Sequence, residues 1–192
     1  AQSASTGTEV LPIANLHTVS AGTLASLHRR GDLYPGLDGR TTAEEGINTQ
    51  RALQRQRQAD AVDSTPYQTE VSVNAQLSYA GQWFQIQGRI DGLTLSNANG
   101  QPQFVVEEYK TTRADPAAAH GALHSEHWAQ LKVYAAVLAI THPQVQQWQL
   151  RLLYCHPDSL ATWSVEQLPN RGELLGWLAD TIQTYAERVQ AQ

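Results

Sequence analysis

The sequence predicts a mixed α/β (α+β) fold, in which helices flank one central mixed β-sheet. Two observations support this prediction. Apolar residues recur with the two-residue period of strands in the middle of the chain, and with the helical period on either side. The chain also has 192 residues, 41% of them hydrophobic, which suits one domain with a sizeable core. We therefore expect a single domain over residues 15–192 after a flexible N-terminal segment, 1–14, of mostly small and polar residues.

The first predicted elements are helical. The pattern indicates a short helix over Ser20–Arg30, followed by a turn-rich loop over 32–40. A second helix is expected to begin after Thr42 and to run to about Gln58. Thr42 is followed three residues later by Glu45, which is the spacing of a capping box.

A three-stranded meander is predicted next. Its strands are expected over Tyr67–Tyr79, Trp83–Leu95 and Gln103–Thr111. Ala80-Gly81 indicates a tight turn between the first two strands, and Asn97–Gly100 indicates a turn between the second and third.

The C-terminal part alternates again between helix and strand. Pro143 ends an amphipathic helix, and Glu173 completes a capping box with Asn170. The predicted elements are a helix over Ser125–Ile140, strands over Val145–Cys155 and Thr162–Gln167, and a last helix from Asn170 towards the C-terminus.

A carboxylate and a lysine lie two residues apart near the end of the third strand of the meander. Because side chains alternate on a strand, Glu108 and Lys110 share one face, while Glu107 points to the other. Asp91 ends the preceding strand between Gly88 and Gly92, where a backbone or ligand can approach closely. If the two strands pair, Asp91 lies near Glu108.

Two carboxylates with open coordination positions suit a hard cation such as Mg²⁺ or Mn²⁺. A neighbouring lysine can orient a water molecule or offset charge that develops on a phosphate. From the spacing alone, a simple salt bridge between Glu108 and Lys110 on a solvated strand is the alternative. Gln130 and Tyr134 lie four residues apart on one face of the following helix, where their polar ends can contact phosphate or water.

Taken in order, three motifs resemble those of the RecB-type branch of the PD-(D/E)xK nuclease superfamily. They are Gly88-Arg-Ile-Asp91, Glu107-Glu-Tyr-Lys110 and Gln130-Leu-Lys-Val-Tyr134, which match the G-x-x-D, E-x-K and Q-x-x-x-Y patterns. The resemblance covers about residues 15–155. It is greatest to the nuclease domain at the N-terminus of some damage-inducible iron-sulfur DNA helicases.

The resemblance implies a restriction-endonuclease-like fold and a metal-dependent deoxyribonuclease. Asp91 and Glu108 would hold Mg²⁺ or Mn²⁺, and Lys110 would be the catalytic lysine. Gln130 and Tyr134 would position the DNA backbone or support the lysine. The implied substrate is single-stranded DNA or DNA ends in repair or recombination, and the implied partner is a helicase domain in the parent chain.

The sequence departs from the family at one position. Many members carry a metal-binding histidine in a G-x-x-x-H pattern, and here Gly46 is followed by Gln50 at the place of that histidine. An amide oxygen can also bind a hard cation, so Gln50 is our candidate third ligand. Arg51 and His127 are candidate contacts to the DNA backbone.

Composition leaves the nature of the partner open. The formal net charge of −5 is unusual for a nucleic-acid-binding protein, although a metal site itself concentrates carboxylates. The single cysteine, Cys155, excludes an internal disulfide and favours a reducing, cytoplasmic compartment. No apolar run is long enough to cross a membrane. A catalytically inactive DNA-binding module of a larger helicase or repair protein remains the alternative function.

Overall fold

A computed structural model describes the chain over residues 16–29, 42–61, 65–113 and 125–192. The described residues form a six-stranded mixed sheet flanked by helices, which confirms the predicted fold class. The segment predicted to be flexible, 1–14, and the predicted loop, 32–40, lie outside the described residues. In chain order the elements are β1 (Leu16–Ser20), α1 (Ala21–Ser26), α2 (Ala43–Asp60), β2 (Tyr67–Tyr79), β3 (Gln82–Ala98), β4 (Gln101–Thr111), α3 (Ser125–Thr141), β5 (Gln147–Cys155), β6 (Thr162–Gln167) and α4 (Arg171–Gln190).

The start of α2 and the turns of two hairpins lie where the local sequence predicts them. The Thr42 hydroxyl accepts a hydrogen bond from Glu45 N while the Glu45 carboxylate accepts one from Thr42 N, so the predicted capping box opens α2. The β2–β3 and β3–β4 hairpins each turn through two residues with positive φ, Ala80-Gly81 and Asn99-Gly100. Such turns match the right-handed twist of paired strands.

The sequence pattern did not reveal β1. The helix predicted over Ser20–Arg30 is present as a shorter helix, α1, for which Ser20 is the N-cap. The strand β1, which was not predicted, comes directly before it. β1 pairs in parallel with β3. Leu16 lies opposite Trp83, and Ser20 lies opposite Gln87. A partner so distant in sequence leaves no local periodicity to detect.

A gap opens along one edge of β3. β2 covers the opposite edge, whereas β1 pairs with residues 83–87 and β4 with residues 92–98 of the same edge. After Glu107, which is paired with Gly92, β4 leaves β3 and continues beside β5 alone. We call the resulting space between residues 88–91 of β3 and residues 108–111 of β4 the notch.

Helices cover both faces of the sheet. α3 contributes nine buried residues to the main core, and α1 and α4 pack beside it. α2 lies over the other face, above a smaller cluster that includes Leu53, Tyr109 and the buried Cys155. None of the helices in the described parts of the chain is long and apolar enough to cross a bilayer.

Candidate active site

The notch brings Glu108 and Lys110 together with two side chains of α3. Lys110 Nζ lies 3.3 Å from Glu108 Oε1 and donates a hydrogen bond to Gln130 Oε1 at 3.0 Å. Gln130 Nε2 in turn donates to the Tyr134 hydroxyl at 2.8 Å. Glu108 and Lys110 therefore share the face that strand alternation predicts, and Gln130 and Tyr134 reach the same space from α3.

Asp91 does not end its strand as predicted, because β3 continues to Ala98. It lies within β3, at the point where β3 and β4 separate. Its Oδ2 accepts a hydrogen bond from Tyr109 N at 2.8 Å, and its Oδ1 accepts one from Gln50 Nε2 at 2.9 Å. Because β4 has left β3 at this point, the Asp91 carboxylate replaces a strand carbonyl as the acceptor for Tyr109 N. Gln54 Nε2 also donates to the Asp91 carbonyl oxygen, at 3.1 Å. No motif in the sequence marks Gln54 as a site residue. Its position one helical turn after Gln50 nevertheless places both side chains on one face of α2.

Glu108 carries a strongly perturbed carboxyl group. Burial raises its pKa to about 8, and the negative charge of Asp91 adds to the rise against the opposing effect of Lys110. The pKa of Asp91 is also raised by burial, although the hydrogen bond from Tyr109 N opposes the shift. Glu108 Oε2 is buried and has no hydrogen-bond partner among the described residues. Two buried carboxyls thus face a single lysine, which leaves the notch short of positive charge.

A bound divalent cation would supply the positive charge that the two carboxylates lack. The candidate ligands are the carboxylates of Asp91 and Glu108, with the amide of Gln50 beside Asp91. Within the described residues, no group of three or more histidine, cysteine, aspartate or glutamate side chains is placed to hold a metal ion. Gln50 turns its amide nitrogen, which cannot bind a cation, towards Asp91. A metal here would therefore have two carboxylate ligands and would take its remaining ligands from water, substrate or the Gln50 oxygen after rotation of the amide.

The two glycines beside Asp91 make room for tyrosine side chains. A Cβ on Gly88 would lie 2.6 Å from Cε1 of Tyr134, and a Cβ on Gly92 would lie 1.8 Å from the hydroxyl of Tyr67. The space that the sequence suggested for a backbone or ligand is therefore filled by the protein itself. It also follows that Gly88 allows Tyr134 to reach the notch.

A second carboxylate is buried on the opposite face of β4. Glu107 is 1% exposed. It forms an ion pair with Arg57 and another with Arg151 Nη1 at 3.0 Å. Its Oε2 also accepts hydrogen bonds from the hydroxyls of Tyr109, at 3.2 Å, and Tyr67, at 3.4 Å. We call these five residues the Glu107 cluster.

The two candidate DNA contacts lie at different places. Arg51 is exposed on α2, directly after Gln50. His127 is half-buried on α3, three residues before Gln130, and its Nδ1 lies 3.2 Å from the Tyr154 hydroxyl. Tyr154 is the strand partner of Lys110, so His127 adjoins the notch while Arg51 borders it from α2.

Comparison with known proteins supports the fold. No protein-family model matches the chain, and no curated protein matches it. Among solved structures, the chain is similar to the crystal structure of SSO0001, with a TM-score of 0.53 and 19% sequence identity. The similarity covers 88% of this chain and 76% of that one. At this identity the likeness concerns the arrangement of helices and strands.

Proposed function

We propose that the chain is a metal-dependent nuclease that hydrolyses DNA phosphodiester bonds at the notch. The observation that carries the proposal is the buried pair of Asp91 and Glu108, which faces Lys110, while Glu108 Oε2 has no hydrogen-bond partner among the described residues. Ordinary buried carboxylates are fully compensated, so an arrangement of this kind is typical of functional sites.

Asp91 and Glu108 would hold Mg²⁺ or Mn²⁺, with Gln50 as the candidate third ligand. The ion, when bound, polarises a phosphate oxygen and lowers the pKa of a bound water molecule. Lys110 is the catalytic lysine in this proposal. Its ion pair with Glu108 and its hydrogen bond to Gln130 hold Nζ where it can offset charge on the phosphate. Tyr134 acts through Gln130, which it holds by a hydrogen bond.

The substrate we propose is single-stranded DNA or a DNA end, in repair or recombination. Arg51 and His127 would bind its phosphates on either side of the notch. The resemblance to helicase-associated nucleases supports a helicase domain as the partner in the parent chain. We propose the cytoplasm as the compartment, because Cys155 is a buried free thiol and offers no disulfide.

The decisive experiment is a cleavage assay with the purified chain. Labelled single- and double-stranded DNA is incubated with Mg²⁺, Mn²⁺ or EDTA, and products are resolved by gel electrophoresis. We expect cleavage with metal, none with EDTA, and loss of cleavage in Lys110→Ala. Arg188→Ala, which removes an exposed cation from the end of α4, is the matched control and should cleave as the wild type does. Metal-dependent cleavage that survives Lys110→Ala would contradict the assignment of the site.

One observation favours a second function, that of a catalytically inactive DNA-binding module. Gln50 stands where the family often has histidine, and its amide nitrogen is engaged with Asp91. A melting experiment separates the two functions. The active enzyme should gain thermal stability from Mn²⁺, and Glu108→Gln should abolish this gain. DNA binding with neither cleavage nor a Mn²⁺-dependent shift would favour the inactive module.

A further inference from the structure

A cavity of about 550 Å³ lies between α1, α3 and α4, away from the notch. The residues of its wall that matter here are His28, Arg29, Trp128, Lys132 and Trp177. Its volume is within the range of small-molecule sites. On α3, Trp128 and Lys132 project from the side opposite to Gln130 and Tyr134, because residues on a helix advance by 100° each. The cavity and the notch are thus separated by about one helix diameter, roughly 10 Å.

The wall of the cavity presents positive charge and aromatic surface. Arg29 is bound to Glu126, with Nε 2.8 Å from Oε2. Burial lowers the pKa of His28 from its ordinary value of 6.5, so its ring is neutral at pH 7. Lys132 Nζ lies 5.6 Å from the ring centre of Trp177, and no ion pair within the described residues includes it. Lys132 is therefore the uncompensated cation of the wall.

The two tryptophans contribute apolar surface to the wall of the cavity, and one of them contributes a hydrogen-bond donor that is unpaired in the described part of the chain. The ring of Trp177 is stacked on His28, with centroids 4.9 Å apart, and Lys132 lies over it. Trp128 is 7% exposed, and its Nε1 is a buried donor with no acceptor among the described residues. Because buried donors are nearly always paired, this indole indicates a missing acceptor. A ligand that fits must be anionic, must accept a hydrogen bond and must offer a flat apolar group.

A nucleotide has all three properties. We propose that this cavity binds one nucleotide of a DNA strand whose phosphodiester bonds reach the notch. A phosphate would draw Lys132 from the ring of Trp177, the base would take its place against that ring, and an acceptor of the nucleotide would pair with Trp128 Nε1. The inference rests on the proposed function in one respect, that DNA is the substrate. Glu126 lies between the two sites. Its carboxylate forms an ion pair with Arg29 at the cavity, and the charge of Lys110 at the notch helps to lower its pKa. A strand that passes the N-terminal end of α3 would contact both.

The test is strand binding in EDTA, where no cleavage occurs. The probe is a 5′-fluorescein oligothymidylate, and binding to the full chain is followed by anisotropy. Lys132→Gln should weaken binding roughly fivefold to tenfold, whereas Lys132→Arg should stay within about twofold, because it keeps the positive charge that binds the phosphate. Arg171→Gln removes an equal charge at the start of α4, near the C-terminal end of α3, and is the matched control.

A second probe tests the contact to the base. An oligomer of the same length and charge with abasic sites should bind the wild type roughly tenfold more weakly than oligothymidylate does. The difference should shrink in Trp177→Leu, provided that its melting curve shows a folded chain. Equal weakening in Lys132→Gln and Arg171→Gln, or no preference of the wild type for bases, would overturn the inference.

The outcome can be separated from that of the proposed function. If the chain cleaves DNA with Mn²⁺ but Lys132→Gln binds the strand as the wild type does, the cavity assignment alone fails. If Lys132 and the bases matter for binding but no metal supports cleavage, the nuclease assignment fails and the cavity assignment stands. Where both hold, Lys132→Gln should raise KM for cleavage and leave kcat unchanged.

Discussion

Glu107 and Glu108 are consecutive residues of β4, both are buried, and their surroundings differ in kind. Glu107 has two arginines and two tyrosine hydroxyls around it, so its charge and its lone pairs are satisfied. Glu108 faces another carboxylate and one lysine, and its Oε2 has no partner among the described residues. Burial alone therefore does not distinguish the two acids, whereas the charge around each of them does. Because an uncompensated buried charge reduces stability, Glu108 is the better candidate for a functional acid.

The largest effect should come from removing the charge of Glu108. We expect Glu108→Gln to reduce the cleavage rate by about a thousandfold or more, because the metal loses one of its two carboxylates. At pH 9 in EDTA, where Glu108 is ionised in spite of its raised pKa, the free energy of unfolding should rise in the variant, since an uncompensated charge disappears. Gel assays and urea titrations measure the two quantities. A variant with unchanged cleavage would show that the two glutamates do not differ in the way proposed.

Glu107 should respond in the opposite manner. Glu107→Ala leaves Arg57 and Arg151 without their buried partner, and we expect a loss of about 3 kcal/mol in the free energy of unfolding. Folded molecules of this variant should still bind Mn²⁺. A double variant with Arg57→Met should recover part of the loss, which urea denaturation in a double-mutant cycle would measure. If Glu107→Ala is as stable as the wild type, the cluster has no structural role.

The pH dependence of stability should distinguish the two residues further. Folding raises the pKa of Glu108 from 4.5 to about 8, so the folded chain binds more protons than the unfolded chain between these values. The free energy of unfolding in EDTA should therefore fall as pH rises through this interval, by an amount on the order of 2 kcal/mol. Urea titrations at several pH values measure how the free energy of unfolding changes with pH. Glu108→Gln should remove this component, and an identical slope in the variant would contradict the prediction.

The smallest effect concerns the position of Gln50. Gln50→His would place an imidazole beside Asp91, and imidazole is a better ligand for Mn²⁺ than an amide oxygen is. We expect the affinity for Mn²⁺ to rise about tenfold, with little change for Mg²⁺. Isothermal titration calorimetry of the wild type and the variant with each ion measures these changes in affinity. Gln58→His, at an exposed position two turns further along α2, is the control and should leave the affinity unaltered.

Part of this site follows from the sequence alone. Alternation along β4 is a local property, so it predicts that Glu108 and Lys110 share a face and that Glu107 does not. The hairpins of β2, β3 and β4 are also local, and their turn residues mark them. These features explain why the fold class and the grouping of the three motifs could be predicted.

The rest depends on contacts between distant segments. Nothing near Asp91 in sequence indicates that it accepts a hydrogen bond from Tyr109 N, because this bond arises only where β4 leaves β3. The fit of Tyr134 against Gly88 likewise joins α3 to β3. β1 went unpredicted for the same reason, since its neighbour begins at Trp83.

The gap between β1 and β4 along β3 has a consequence for strand register. If the pairing of Gly92 with Glu107 simply continued, Asp91 would lie opposite Glu108 and the hairpin would extend over the notch. Instead β4 leaves β3 after Glu107, although its other edge stays paired with β5 as far as Thr111. The opening therefore depends on this divergence of two strands that are neighbours in the sequence, and a longer hairpin would bring the same two carboxylates together in a register that leaves no opening between the strands.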